Sequence, residues 1–288
     1  MNQQLARVCC LLLCMMSNNA LSAILEPPFC GEEGVWIQVL RAGALRYADT
    51  STSSSYLVWK DGKAKLLVDA GHGAALRFDE SDADIKDIDA IAITHLDREN
   101  TSDLWAFLRA SDREKRLTLM GPFGEDPDFL TSLAGVSFAR QRPAVRTVNA
   151  VGRKRWAEFG NAEFHAAAVP VDHGDERGLA WRISFGEQSI TFTGDFSNQK
   201  DLMTGFARGS DALVANLGVP EEARGASRDA FARPSEIGRI AASADVRMLI
   251  LGARGARTRG RESQTLNAIE AHYQGPVMIA DDLECWGL

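Results

Sequence analysis

An apolar run from Ile88 to Ile93 breaks off abruptly into Thr94-His95-Leu96-Asp97-Arg98-Glu99-Asn100. A helical spacing of Leu104, Trp105, Phe107 and Leu108 follows, opened by Thr101-Ser102-Asp103. An apolar run of this length bounded by polar residues reads as a buried strand, and the pattern after it as a capped helix. A chain built this way must deliver an imidazole and several carboxylates to the end of a buried strand. His95, Asp97 and Glu99 alternate, as they would to converge on one point from an extended loop. Acidic strand-to-helix turns also occur as plain solvated features, so other segments have to decide between the two.

Two do. Val169-Pro170-Val171-Asp172-His173-Gly174 is a second strand-like run ending in a histidine, and Phe192-Thr193-Gly194-Asp195 a third ending in Gly-Asp. Three strand ends thus offer His95, His173 and Asp195, the donor types that hold zinc, iron or manganese. His72 beside its glycines and His165 inside a strand read as structural, and His272 as solvated. Asp69 reads as the cap of its own turn.

Around these segments, strands are predicted at Val35 to Leu40, Tyr56 to Trp59, Ala64 to Val68, Leu117 to Met120, Val145 to Val148, Glu163 to Val169, Ala180 to Phe185, Ser189 to Thr193, Asp211 to Ala215, Met248 to Leu251 and Val277 to Ala280. The turn Asp61-Gly62 joins the second and third as a hairpin. Helices are predicted after Gly73, at Asp126 to Leu133, at Pro234 to Ser243 and at Glu262 to Tyr273. Strands lead each half and helices come in later. That order predicts an α/β protein with two sheets face to face and helices outside, a four-layer αββα sandwich. No proline- or serine-rich linker interrupts the chain, so residues 24–288 read as one domain.

Residues 1–23 differ from the rest. Arg7 is their only charged side chain, Val8 to Met16 is a short apolar run, and small residues follow to Ala23. This reads as a secretory signal that sends the protein to the periplasm, too short to span a bilayer. It contains Cys9, Cys10 and Cys14. Cys30 and Cys285 remain, one near each end, and either pair as a disulfide in an oxidising compartment or stay as two thiols. The formal net charge of −7 argues against nucleic acid as a partner, which needs a basic surface. No run supports stable membrane insertion.

The combination resembles the metallo-β-lactamase-fold hydrolases over nearly the whole chain after residue 23. Ser53-Ser54-Ser55-Tyr56-Leu57-Val58 with Leu66-Leu67-Val68-Asp69-Ala70-Gly71 resembles that superfamily's opening hairpin. Residues 94–100 stand where it carries Thr-His-x-His-x-Asp-His, and Val169 to Gly174 and Gly194-Asp195 match its later ligand segments. The branch near the tRNA-processing ribonucleases and phosphodiesterases is the most similar. The departures are as informative as the match. Asp97 stands for the second histidine, Glu99 for the aspartate and Asn100 for the last histidine. The resemblance also places histidines at Ala253, Asn216 and Ala232, and the early Gly-rich loop is reduced to Arg41-Ala42-Gly43-Ala44.

By the resemblance, one metal position draws on His95, Asp97, His173 and Asp195, and the other on Glu99, Asn100, Asp195 and Ala253. Asn is a poor zinc ligand and Ala is none, so a dinuclear zinc centre is not expected. The reading is a secreted protein of this fold with a degenerate dinuclear site, a non-hydrolytic pseudoenzyme that binds a small anionic ligand or a protein partner. The alternative is a mononuclear metal-dependent hydrolase of a phosphodiester, ester or lactone, with those four metal ligands and with Glu99 and Asp195 as catalytic groups. Whether the chain is an enzyme stays open between them, and the cofactor is none or one divalent ion, zinc, manganese or iron. Two basic runs, Arg140, Arg142, Arg146, Arg153, Lys154 and Arg155, and Arg254, Arg257, Arg259 and Arg261, read as solvated surface, with Arg254 or Arg257 as the alternative ligand of the anion.

Overall fold

The computed structural model describes residues 30–43, 53–111, 117–123, 145–149, 157–174 and 176–288. The expected signal segment, the expected helix at Asp126 to Leu133 and the basic side chains from Arg140 to Arg155 lie outside what it describes.

Among the described residues, two sheets of seven strands form the body. The first contains β1 (Val35–Arg41), β2 (Ser55–Lys60), β3 (Lys63–Val68), β4 (Ala90–Ala92), β5 (Leu117–Gly121), β6 (Val145–Asn149) and β14 (Cys285–Gly287), in the order β14-β1-β2-β3-β4-β5-β6. The second contains β7 (Ala157–Gly160), β8 (His165–His173), β9 (Glu176–Phe185), β10 (Gln188–Phe192), β11 (Ala212–Asn216), β12 (Met248–Gly252) and β13 (Val277–Ile279), ordered β13-β12-β11-β10-β9-β8-β7. The hairpin β2–β3 is antiparallel, whereas β3 to β6 and β10 to β13 run parallel. Parallel neighbours need crossovers, and crossovers place helices on the outer faces.

The side-chain period of two sorts each strand into an inner and an outer row. Val58, Leu66, Ile37 and Val39 point inward and meet Trp181, Phe192, Val214 and Ile250 of the other sheet, making the central core. Their neighbours Leu57 and Leu67, with Ile91, point outward and are covered by Ala74 and Phe78 of helix α1 (Ala74–Glu80) and by Leu104, Phe107 and Leu108 of helix α3 (Leu104–Ala110). On the far side Leu213, Leu249 and Leu251 are covered by Met203 and Phe206 of helix α4 (Leu202–Phe206), by Ile237 and Ile240 of helix α6 (Pro234–Ser243), which follows the short helix α5 (Ala226–Ala230), and by Ile269 of helix α7 (Glu262–Glu270). Helix, sheet, sheet and helix give the αββα sandwich read from the sequence. No helix among the described residues is long and apolar enough to cross a membrane.

The segment after β4 departs from the expectation. Thr101-Ser102-Asp103 does not open one helix: a short helix α2 (Arg98–Thr101) forms first, and Asp103 precedes α3. The Asp103 carboxylate bonds the main-chain N–H of Ala75 at 3.0 Å instead of capping its own helix. Glu99 therefore sits on a helical turn and not on an extended loop.

Cys30 and Cys285 form a disulfide across a sequence separation of 255 residues. It ties the described amino end to edge strand β14, which pairs antiparallel with β1. Linking residues so far apart removes much chain entropy from the unfolded state. Cys285→Ser is therefore expected to lower stability by about 2–4 kcal/mol. Urea unfolding with and without reductant would measure this, and a native protein indifferent to reductant would contradict it.

Candidate metal centre

The centre forms where the carboxyl ends of β4, β8 and β10 approach one another. β4 is stitched to the second sheet by two bonds. Leu179 N–H donates to the Thr94 carbonyl at 2.7 Å, and the Trp181 indole N–H to the Ile93 carbonyl at 2.9 Å. Close approach also needs Gly194, at φ +58°, where an added Cβ would lie 2.9 Å from both the Leu179 carbonyl oxygen and Thr94 Cβ. That turn is what presents Asp195. Gly71 is needed for a similar reason, because a Cβ there would lie 2.0 Å from the Glu99 carbonyl oxygen, and helix α2 could not seat.

His95, His173 and Asp195 come together with one donor atom from each within 4.8 Å of the others. All three are buried, at 2%, 8% and 3% exposure. Asp195 Oδ2 lies 3.5 Å from His95 Nε2 and 4.0 Å from His173 Nε2. Asp97 stands beside this set and outside its mutual spacing, with Oδ2 3.5 Å from His95 Nε2 and its side chain partly open to solvent. Glu99 joins through its charge only. Burial, then the charges of Asp97 and Asp195, hold its carboxyl above the usual range.

Each imidazole is oriented from behind. His173 Nδ1 bonds the Ala230 carbonyl at 2.9 Å, and its ring meets Phe231 edge-on at 5.1 Å. His95 Nδ1 bonds Thr94 Oγ1 at 3.0 Å. The Thr94 hydroxyl donates in turn to the buried carboxylate of Asp69, at 2.9 Å from Oδ2. A hydroxyl that gives its proton to a carboxylate must accept from the ring, so Nδ1 of His95 carries the hydrogen, and in the neutral ring Nε2 carries the lone pair. That Nε2 is buried with no hydrogen-bond partner among the described residues. Burial alone would lower the pKa of His95, but the carboxylates of Asp195, Asp69, Asp97 and Glu99 outweigh it and raise it.

The spacing tests whether a metal ion fits. A hydrogen-bonded N···O pair stands roughly 2.7–3.2 Å apart. Two donors each about 2.1 Å from one tetrahedral ion stand about 3.4 Å apart. The 3.5 Å separation is that of ligands to a common ion and the 4.0 Å one stands somewhat wider, both beyond a direct hydrogen bond, and the donor types suit a divalent ion.

Of the four residues assigned to a second metal position, Asn100 is engaged elsewhere and Ala253 offers no donor. Asn100 donates through Nδ2 to Asp69 Oδ2 at 2.8 Å, Ser54 Oγ at 3.0 Å and Thr94 Oγ1 at 3.2 Å, and its Oδ1 is buried without a partner among the described residues. Ala253 is fully buried, in a left-handed conformation at φ +43°. The buried Tyr56 phenol lies against Gly252, where a Cβ would stand 2.1 Å from its hydroxyl. Its pKa is pushed up by burial and then by Asp69 and Asp195.

Two other expectations change, at Asp69 and at Arg254, and the position of Ala232 is located. Asp69 does not cap its own turn: Oδ1 accepts the Thr94 main-chain N–H across the sheet at 2.8 Å. Ala232 belongs to the outer apolar cluster with Ile237, and it is Phe231 that faces His173. Arg254 is not held ready for an anion. Its guanidinium binds Glu262 at 3.1 Å and Asp281 at 2.7 Å, and Arg257 bonds Ser227 at 3.1 Å. Asn216, marked in the sequence only as standing in place of a histidine, is a partner of the centre: its Nδ2 donates to Asp195 Oδ1 at 2.7 Å.

The model of the metallo-beta-lactamase superfamily matches residues 48–233. Among solved structures, the fold is similar to the metallo-beta-lactamase fold protein YhfI from Bacillus subtilis, with TM-score 0.71, 18% identity, and 88% of this chain and 98% of that one covered. It is similar to the short form of human tRNase Z, with TM-score 0.67, 17% identity and coverage of 88% and 98%. It is similar also to Zn2+-bound PqqB from Methylobacterium extorquens, with TM-score 0.60, 15% identity and coverage of 88% and 100%. At these identities the likeness is one of fold. A comparison with curated protein sequences finds no match.

Proposed function

This chain belongs to the metallo-beta-lactamase superfamily, and from that premise we propose that it is a hydrolase working with one divalent metal ion in place of two. His95, His173 and Asp195 hold the ion, with Asp97 beside them. The observation that carries this reading is the His95 Nε2 atom. It is buried, without a hydrogen-bond partner among the described residues, and 3.5 Å from both Asp195 Oδ2 and Asp97 Oδ2.

When bound, the ion would supply Lewis-acid polarisation of a substrate oxygen and a water acidic near neutral pH. The chain's own residues do the remaining work. Thr94 and the Ala230 carbonyl fix the ring orientations of His95 and His173. Glu99, its carboxyl held above the usual range by burial and by Asp97 and Asp195, takes the proton of the attacking water. Two imidazoles with oxygen donors suit manganese or iron(II) as well as zinc. The superfamily supports a phosphodiester, ester or lactone as the bond cleaved. The Cys30–Cys285 disulfide supports an oxidising compartment, in keeping with a periplasmic location.

A second reading, a non-hydrolytic binding protein, is favoured by the buried methyl of Ala253 and the diversion of Asn100 to Asp69. Chelator-free purification, elemental mass spectrometry and a screen of ester, lactone and phosphodiester probes separate the two. The hydrolase binds about one equivalent of metal and turns over a probe, and Asp195→Ala loses both. Metal bound without turnover of any probe supports the binding protein. Absence of bound metal after incubation with zinc, manganese and iron(II) overturns the single-ion centre.

A further inference from the structure

We propose that Asn216 is a positioning residue that makes Asp195 a ligand to one ion, through Oδ2 alone. The inference rests on the single-ion reading above. Asn216 ends β11 and is 4% exposed. Its main chain is held on two sides, by its N–H to Thr193 Oγ1 at 3.2 Å and by pairing with Gly252 of β12. The side chain therefore leaves a fixed point, and it reaches Asp195 Oδ1 at 2.7 Å. An ionised carboxylate only accepts hydrogen bonds, so the amide must present its NH2 end there.

The consequence is a division of labour between the two carboxylate oxygens. In a two-ion centre the shared carboxylate offers lone pairs to both metals. Here a cation approaching Asp195 from the Oδ1 side meets an amide hydrogen. Oδ2 keeps its lone pairs and stands between the two imidazoles, 3.5 Å from His95 Nε2 and 4.0 Å from His173 Nε2. The same bond fixes the plane of the carboxylate, so Oδ2 needs no reordering to receive an ion. Partners that orient a ligand in this way are worth roughly 10–100-fold in metal affinity.

The test uses the whole protein loaded with cobalt(II), whose visible absorption reports coordination number. Asn216→Leu keeps the approximate volume and removes the donor. Asn216→Thr suits strand β11 and leaves a hydroxyl too short to reach Asp195, so it serves if the leucine variant fails to fold, which circular dichroism would reveal. The native protein is expected to bind a single cobalt with intense tetrahedral-type absorption. Either folded variant should bind it roughly 10–100-fold more weakly. Its absorption should also be reduced, because a released Asp195 chelates through both oxygens and raises the coordination number. Folded variants with native affinity and a native spectrum overturn the role of Asn216 and leave the single-ion centre standing. Two cobalt ions in the native protein overturn both statements, as does none.

Discussion

Alanine at His95 should abolish metal binding, taking the protein from about one bound equivalent to none detectable at micromolar ion. His95 Nε2 is the atom common to the short separations of the centre, 3.5 Å from Asp195 Oδ2 and 3.5 Å from Asp97 Oδ2. Without it, His173 and Asp195 remain as a pair 4.0 Å apart, and Asp97 loses the group that relates it to them. Loss of a direct ligand should exceed the roughly 10–100-fold that follows loss of an orienting partner. The readout independent of activity is thermal stabilisation by added ion. An ion at a hundred times its dissociation constant stabilises the native state by about 2.7 kcal/mol, which is roughly 5–10 °C for a chain of this size. His95→Ala should show no shift at any concentration tolerated by the native protein. An alanine variant that kept the native shift would move the ion to other residues and end the single-ion assignment.

The fold was legible because its signals are local and repeated. Leu57 and Val58, or Leu66 and Leu67, point to opposite faces of a sheet, and such doubly apolar strands mean layers on both sides. Pro234 at the first turn of α6 marked that helix at its observed limits. His95, His173 and Asp195 were candidates because each ends an apolar run, and parallel and antiparallel strands alike deliver their ends to sheet edges. What escaped was set by contacts distant in sequence. Asn216 meets Asp195 across 21 residues and Asn100 meets Asp69 across 31, and an amide looks the same in a sequence whether it faces water or a carboxylate. Arg254 looked available for the same reason, since its partners Glu262 and Asp281 are brought to it by α7 and the last turns of the chain. The short helix α2 replaced an extended loop because Asn100 must reach Asp69 while its own carbonyl accepts the Ala70 N–H at 2.8 Å. A straight segment could not meet both demands.

Asp69 is where removal of one side chain should most damage the folded state. It is 1% exposed and sits at φ +58°. Its two oxygens receive Thr94 N–H, the Thr94 hydroxyl, the Ser54 hydroxyl and the Asn100 amide, each at 3.1 Å or less. Asp69→Ala strips the acceptor from all of them inside the core. Each buried donor left unsatisfied costs roughly 1–3 kcal/mol, and partial relaxation brings the expected loss to about 3–5 kcal/mol, or roughly 10 °C. Asp69→Asn should be far milder, because Asn100 can turn its amide and offer the Oδ1 that now lacks a partner to the new NH2 group. The asparagine variant also separates charge from shape. Burial raises the Asp69 pKa, against the lowering by His95, Thr94 and Asn100. An acid raised in the folded state stabilises below its unfolded pKa of about 3.9 and loses that contribution as pH rises through the folded value. The native protein should therefore lose stability relative to Asp69→Asn as pH climbs from about 4, measured by denaturant unfolding of both without metal. Equal losses from alanine and asparagine would mean that the negative charge, and not the four hydrogen bonds, is what the core requires at this position.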